Sequence, residues 1–538
     1  MVTFPNTTGK KKNDRIRDSE GNSQFKKDYM KINVKEIKKL NKDGFRNGEI
    51  SSAKIYNKKE KNNKFYAKIK AHYQINKDTE EIRLFGNFFF ERYKKKEGLI
   101  ILKINHQEMV LNEFYKIDKD FEKNNNILIV EININESIDD LSYMFADCEE
   151  IYYILGLGNI VNENVKNISN TFLNCSSLRT VNDLQNWKVE NVTDMSSLFR
   201  GCTSYINLNS LYNWNTINAI DMSAMFYSCK NLKNLNLDSF ETNKVRHFSG
   251  MFYECLNIKS IPSLARFKFN NCIDTSLMFY GCEKLEELPD LSKWDVENIE
   301  RMKGMFYRCK NLKTIKGIDN WKPQKLTDIG SFFYGCKSIT SLPDILSKWK
   351  TTNIIDISNF FYGCKNLDFS NVNFKKWNLS NVEDISGMFY DCEKLKEIKG
   401  FSKIDKIKDV SFLFYNCFNL ETISETFDFN TENLISTKGM FYKCHSLKEL
   451  PDMSNWDISN VENMSFMFFG CESIEEIPEP FLEESKIKNK NNCYMFYNCK
   501  SLKMRENFFR EIKNEKLGFS KINEKFLEDN ECCRMREN

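Results

Sequence analysis

Fourteen cysteines at near-constant spacing are the residues best placed to do chemistry in this 538-residue chain. They are Cys148, Cys175, Cys202, Cys229, Cys255, Cys282, Cys309, Cys336, Cys364, Cys392, Cys417, Cys444, Cys471 and Cys499, with steps of 25 to 28 residues. Thiols in such number could hold zinc, form disulfides or act as nucleophiles. Zinc needs donors brought together at short ligand spacing. The four histidines, His72, His106, His247 and His445, stand at no such distance from a cysteine or aspartate. Neighbouring rungs of a stacked ladder would sit about 5 Å apart, within disulfide range, but parallel side-chain directions make the bond awkward. A small, easily buried side chain at one fixed phase is the simpler reading, so reduced core cysteines are expected. Cys272 and Cys493 fall inside repeats, and Cys532-Cys533 close to the C-terminus.

Other chemistry is not signalled. The chain has no phosphate-cradling glycine loop, no nucleophile elbow and no kinase set. Its Asp and Glu are spread too evenly to single out a catalytic pair. The expectation is a non-enzyme with no catalytic, cofactor-binding or metal-ligating residues and no cofactor.

The elements that position the cysteines repeat with them. One unit reads Cys282-Glu-Lys-Leu285-Glu-Glu-Leu288-Pro-Asp-Leu291, then Trp294, Ile299, Met302 and Met305-Phe306-Tyr307-Arg-Cys309. Apolar positions keep their phase while polar residues change, the pattern of inward side chains stacking on their counterparts. Leu-x-x-Leu reads as a short strand, ended in five repeats by Pro262, Pro289, Pro343, Pro451 or Pro478. Asp or Ser before Met-Phe reads as an N-cap opening a single helical turn. All seven tryptophans lie 12 or 13 residues after a ladder cysteine, as corner-filling core residues would. The aromatic after Phe, from Tyr227 to Tyr497, reads as a half-buried stack rather than an exposed stripe.

Trp456-Asp-Ile-Ser-Asn-Val461-Glu-Asn-Met464-Ser465-Phe-Met467-Phe468-Phe-Gly-Cys471 resembles the bacterial surface-protein 26-residue repeat, similar to BspA-type leucine-rich repeats. The resemblance covers about 70% of the chain. It implies an α/β solenoid, a leucine-rich-repeat-like right-handed superhelix of about 14 turns of ~27 residues. It also implies a role in binding or adhesion and no active site, because the shared residues are core and turn positions.

The expected organisation is a disordered basic tail at 1–29, a small α+β capping domain at 30–135, the solenoid at 136–505 and a helical C-terminal cap at 506–538. In the second of these, Lys64–Tyr73, Glu81–Phe85, Leu99–Ile104 and Ile127–Ile132 read as strands. Asn87–Lys96 and Leu111–Phe121 read as helices, as do Asn507–Lys513 and Phe519–Leu527 in the cap. Residues 1–130 carry 30 Lys and Arg against 18 Asp and Glu in a chain of net charge +4, so the repeats are mildly acidic. That argues against nucleic acid along them. No secretory signal and no membrane span is seen, so the expected location is cytoplasmic, with the cell surface as the alternative.

The expected function is a non-enzymatic protein–protein interaction scaffold; the alternative is a surface or secreted adhesin. Contact residues are expected beside the strand leucines: Asn234, Asn236, Glu287, Thr314, Lys316, Glu397, Lys399, Glu449 and Glu476. Neither the partner's identity nor an oligomeric state is written in the sequence.

Overall fold

The computed structural model describes residues 66–503, apart from 119–125, 161–162, 343–344, 346–347, 371, 373, 400, 402, 424–428 and 482–489. These residues belong to one compact unit, Lys64–Asn538. The expected tail at 1–29, the helical cap at 506–538 and Cys532-Cys533 lie outside the described residues.

Ahead of the repeats the chain forms β1 (Ala67–Gln74), β2 (Glu81–Arg83), α1 (Asn87–Tyr93), β3 (Ile100–Ile104), β4 (Gln107–Val110), β5 (Phe114–Lys116) and β6 (Ile127–Ile134). Strict alternation builds β1: Ala67, Ile69, Ala71 and Tyr73 are buried while Lys68, Lys70, His72 and Gln74 face outward. Asn105 and His106, with φ of 49° and 66°, turn β3 into β4 as the two left-handed residues of a tight hairpin. Leu111–Phe121 is not helical as far as it is described. Its centre is β5, paired antiparallel with β2, because alternating Phe114-Tyr115-Lys116 suits a ladder and Glu113 is held by Arg83.

The first repeats continue this sheet. Its order is β4-β3-β6-β1-β7-β8, where β7 (Ile151–Leu155) and β8 (Thr180–Val181) belong to the first two repeats. β7 runs antiparallel to β1 and parallel to β8. The phenylalanine column of the repeats also starts here, with Phe85 stacked 6.1 Å from Phe145. Gly86 lets the two meet: a Cβ there would lie 2.3 Å from the Tyr143 carbonyl oxygen.

Leu-x-x-Leu forms a strand in only some repeats. The repeats after Cys255, Cys282, Cys309, Cys444 and Cys471 have none there, while β7 has five residues and others two, the fifth and sixth after the ladder cysteine. β8, β9 (Asn207–Leu208), β10 (Asn234–Leu235), β11 (Glu397–Ile398) and β12 (Thr422–Ile423) are examples. They pair parallel and in register, Asn207 opposite Asn234 and Glu397 opposite Thr422. A short 3₁₀ turn then leads into the corner aromatic, as in Leu184–Asn186 before Trp187 and Ile318–Asn320 before Trp321.

The Met-Phe segment is not a helical turn. In every repeat the residues five and one before the cysteine have positive φ, such as Ser197 (55°) with Gly201 (77°), or Phe412 (58°) with Asn416 (60°). A right-handed helix tolerates neither. The segment is instead a run of i→i+3 turns: Cys202 N–H donates to Phe199 O at 3.1 Å and Arg200 N–H to Ser197 O at 3.1 Å. Turning this way aims alternate N–H groups at the next repeat. Ser197, Phe199 and Gly201 donate to Ser223, Met225 and Tyr227 carbonyls at 2.8, 2.9 and 2.8 Å. The Asp taken for an N-cap serves a tighter loop, Asp194 Oδ1 accepting from Ser196 N–H at 2.9 Å. Its backbone contacts the equivalent residue of the next repeat in parallel, a chain running from Asp140 to Asn491.

Candidate functional site: the repeat surface

Three side-chain columns are sealed inside. The Phe rings stack from Phe145 to Phe496 at 5.3–6.0 Å, Phe172–Phe199 marking the short end at 5.3 Å and Phe333–Phe361 the long end at 6.0 Å. The tryptophans are buried, and Trp214 and Trp294 each donate Nε1–H to a carbonyl of the preceding repeat at 2.8 and 2.9 Å. The ladder cysteines and Cys272 are free thiols. From Cys175 onward each ladder thiol donates to the Phe carbonyl of the repeat before, as Cys336 Sγ does to Phe306 O at 3.0 Å. Burial pushes these thiols up, Cys282 to about 12, so they are neither thiolate nucleophiles nor ready metal ligands. The sequence reading of reduced core cysteines holds, and the structure adds what each S–H is bonded to.

Histidines offer no centre either. Burial and the neighbouring Lys70 push His72 down to about 4, and its ring meets Tyr153 edge-on at 5.0 Å. His247 stands in the aspartate column and His445 lies 3.7 Å from Glu472. Among the described residues no three His, Cys, Asp or Glu converge to hold a metal.

The expected contact residues do form columns. Asn234, Glu287, Thr314, Glu397, Glu449 and Glu476 all occupy the fifth position after the cysteine and are exposed. Lys316 and Lys399, at the seventh, are exposed too. Asn236 shares that position but is half-buried, its Oδ1 accepting from Asp238 N–H at 2.9 Å, so it serves the turn. The neighbouring fourth-position and first-position columns carry the ion pairs between repeats: Lys259–Glu286 at 3.0 Å, Lys310–Glu283 at 2.6 Å and Lys365–Glu393 at 2.6 Å. Among the described residues Glu287, Glu397, Glu449 and Glu476 enter no ion pair, and their carboxylates face solvent.

Two further columns were not foreseen in detail. Tyr227, Tyr253, Tyr280, Tyr307, Tyr334, Tyr362, Tyr390, Tyr415 and Tyr442 stack face to face at 4.1–4.3 Å, mostly half-buried. Burial and then the neighbouring phenols push Tyr415 up to about 12 and Tyr253 and Tyr390 higher. The Arg200 guanidinium, in the same column one repeat earlier, sits 4.4 Å over the Tyr227 ring. Beside this stack runs the aspartate column. Lys303 reaches Asp328 at 3.6 Å and, across a whole repeat, Asp356 at 3.0 Å. The intervening residue is Gly330, where a Cβ would meet the Asp356 carboxylate at 3.1 Å. The sequence signal for this was a lysine and then a glycine where serine usually follows the aspartate by two.

Parallel in-register repeats, sealed aromatic and thiol columns and exposed variable positions define a stacked-repeat protein of the leucine-rich kind. The chain belongs to the family described as "Mycoplasma protein of unknown function, DUF285", matched at residues 139–264, 234–341, 273–403, 313–427 and 397–509, which together span more than half of it. The BspA-like repeat character read from the sequence is thereby borne out. No curated protein matches the chain. Among solved structures, a leucine-rich cell surface protein from Faecalibacterium prausnitzii A2-165 overlays 70% of this chain and 86% of its own, at 16% identity and a TM-score of 0.34. A TLR13–ssRNA13 complex overlays 68% of this chain and 58% of its own, under two thirds of that chain, at 17% identity and a TM-score of 0.23. No helix of the described residues is long and apolar enough to cross a membrane.

Proposed function

We propose that the chain is a non-enzymatic protein-interaction scaffold whose partner is read by the fifth- and seventh-position columns. In this reading the repeats wind as a right-handed superhelix of about fourteen turns, one per ladder cysteine. The α+β module before them closes the first end, its sheet continuing into the first two repeats. The observation that carries the proposal is the division of labour within each repeat. The repeated residue types are buried, half-buried in the tyrosine stack or turn-forming, while Glu287, Glu397, Glu449 and Glu476 are exposed and, among the described residues, in no ion pair. Such side chains can change without touching the core, which suits recognition of a protein surface, cationic where the glutamates lie.

Replacing these four glutamates by lysine tests the proposal. Partner capture from the native cell should be lost while the melting temperature stays within about 2 °C, as for surface changes away from the core. Equal loss of stability and capture, or capture unchanged, would sink it. Surface labelling of intact cells tests the location: labelling of the chain points to the adhesin form of the same binding role, and full protection to an intracellular scaffold.

A further inference from the structure

The tyrosine column has a geometry that packing alone does not require. From Tyr227 to Tyr442 adjacent ring planes lie within 12° of parallel and centroids 4.1–4.3 Å apart. Beyond the effect of burial, neighbouring hydroxyls lie near enough to raise one another's pKa, Tyr227 and Tyr280 acting on Tyr253, and Tyr415 and Tyr362 on Tyr390. Rings that are parallel, with hydroxyls side by side, set equivalent carbons opposite one another. The carbon ortho to each hydroxyl therefore faces its counterpart at about the ring separation. The Phe column has wider spacing, lies fully inside and bears no hydroxyl. Most other oxidisable groups of the repeats are shielded, the tryptophans being buried and the ladder thiols bonded to carbonyls; exposed Tyr212 and half-buried Cys493 are exceptions, each outside any stack of phenols. An oxidant arriving from solvent can reach the edges of the tyrosine column.

We propose that this column is an oxidative cross-linking strip, where a one-electron oxidant of the peroxidase class joins tyrosines of neighbouring repeats as dityrosine. The oxidant takes one electron from each of two adjacent phenols, and each phenolic proton leaves to water at the column's exposed edge. The two radicals form a bond between facing ortho carbons. The ring hydrogens displaced there return to the oxygens as the rings regain aromaticity. The net change is two electrons to the oxidant, two protons to solvent and one new carbon–carbon bond. The oxidising equivalent can also pass between rungs in van der Waals contact before it is fixed. Arg200 closes one end over Tyr227. At the other, Phe469, 4.7 Å from Tyr442 and 5.0 Å from Tyr497, breaks the chain of phenols.

The test uses the full chain at high dilution, oxidised by photoexcited tris(bipyridyl)ruthenium with persulfate, with dityrosine read by fluorescence and linked peptides by mass spectrometry. Links are expected within single molecules, between tyrosines 25 to 28 residues apart, and none between Tyr442 and Tyr497. A variant carrying Tyr253→Phe, Tyr307→Phe, Tyr362→Phe and Tyr415→Phe keeps the ring stack, as Phe469 shows the column allows, but leaves no two adjacent phenols. Its dityrosine should fall to the level contributed by tyrosines outside the column. Should that variant not fold, Tyr307→Phe alone should delete only the Tyr280–Tyr307 and Tyr307–Tyr334 links. Dityrosine unchanged in the variants, links chiefly between molecules, or oxidation confined to Trp, Met and Cys would each overturn the proposal.

Discussion

Replacing Phe306 by alanine removes a ring with no solvent exposure, stacked 5.5 Å from Phe279 and 5.9 Å from Phe333, with Phe332 edge-on at 5.3 Å. Truncating a buried phenylalanine costs about 3–5 kcal/mol through lost transfer energy and the cavity left behind. The two stacked pairs account for about 1–3 kcal/mol of that. Collapse around the cavity is resisted by the backbone. Phe279 N–H is tied to Met305 O at 2.9 Å and Phe306 N–H to Phe332 O at 3.0 Å, so neighbouring rungs cannot close up without breaking the ladder. The expected loss is therefore in the upper half of the range, about 4–5 kcal/mol. Phe306→Leu keeps most of the volume and should cost about 1.5 kcal/mol. Urea unfolding gives the totals, and native-state hydrogen exchange shows where protection falls. Coupling between nearest neighbours predicts the loss in the repeats flanking Phe306, with distant ones little changed. An alanine cost below about 1 kcal/mol, or one equal to leucine's, would refute the stacked-core reasoning.

Lys303→Met should lower stability by about 0.5–1 kcal/mol at neutral pH, discounted because the ammonium is half-exposed. Burial, aided by Asp409 and Asp356, already raises the Asp384 carboxyl, so its contribution is present below its unfolded pKa and lost as pH rises through the folded one. For Asp356 burial works upward but Ser358 and Lys303 outweigh it and hold the carboxyl low, so its contribution is present above the unfolded pKa and lost as pH falls through the folded one. Without Lys303, Asp356 joins the raised acids, and the melting-temperature gap between variant and wild type should shrink as pH is lowered from 7 toward 4; a constant gap contradicts this. Cys336→Ala should cost only about 1–2 kcal/mol, because Phe306 O keeps the Cys309 N–H at 3.1 Å; Cys336→Ser keeps a donor and should cost less. A thiol reagent should reach Cys336 only on unfolding. Gly86→Ala drives a methyl into the Tyr143 carbonyl and should cost about 1–3 kcal/mol, with faster proteolysis of the segment bearing α1; unchanged resistance would mean the close approach is not maintained.

The period, the sealed columns and the reduced thiols were legible because burial keeps residue type in phase. Cys, Trp and Phe recur where a carbonyl or a ring of the previous repeat must be met. The Met-Phe segment misled because Asp-x-Ser carries the same local signal for an N-cap as for an Asx turn. What separates them is backbone sign, and positions such as Leu277 and Phe412, left-handed with φ of 58°, carry no compositional mark of it. β5 was missed for a related reason: Leu111–Phe121 has helix-permitting residues, and its strand state depends on β2, 31 to 35 residues away by the pairing of Arg83 with Phe114 and Glu81 with Lys116. The tyrosine register was visible as composition, but its cofacial contact depends on the exact height of one repeat on the next.

The way the repeats are joined bears on how recognition can be built on them. Ladder Cys and several Trp and Asn side chains hydrogen-bond to the main chain of the preceding repeat, as in Asn257 Nδ2–H to Lys230 O at 2.8 Å and Asn298 Nδ2–H to Asn270 O at 2.8 Å. A carbonyl accepts whatever side chain its neighbour carries, so these joints hold between any two repeats and place no demand on exposed residues. The fourth-position ion pairs do demand complementarity, but exposed pairs are worth only about 0–1 kcal/mol. The fifth position is under neither constraint. In five repeats it opens a two-residue strand, as at Asn234 and Glu397, while at Glu287, Thr314, Glu449 and Glu476 no strand forms; at all of these the side chain is exposed. A regularly spaced row of exposed sites whose side chains cost the fold little to exchange is the physical requirement for a binding surface that can be respecified repeat by repeat.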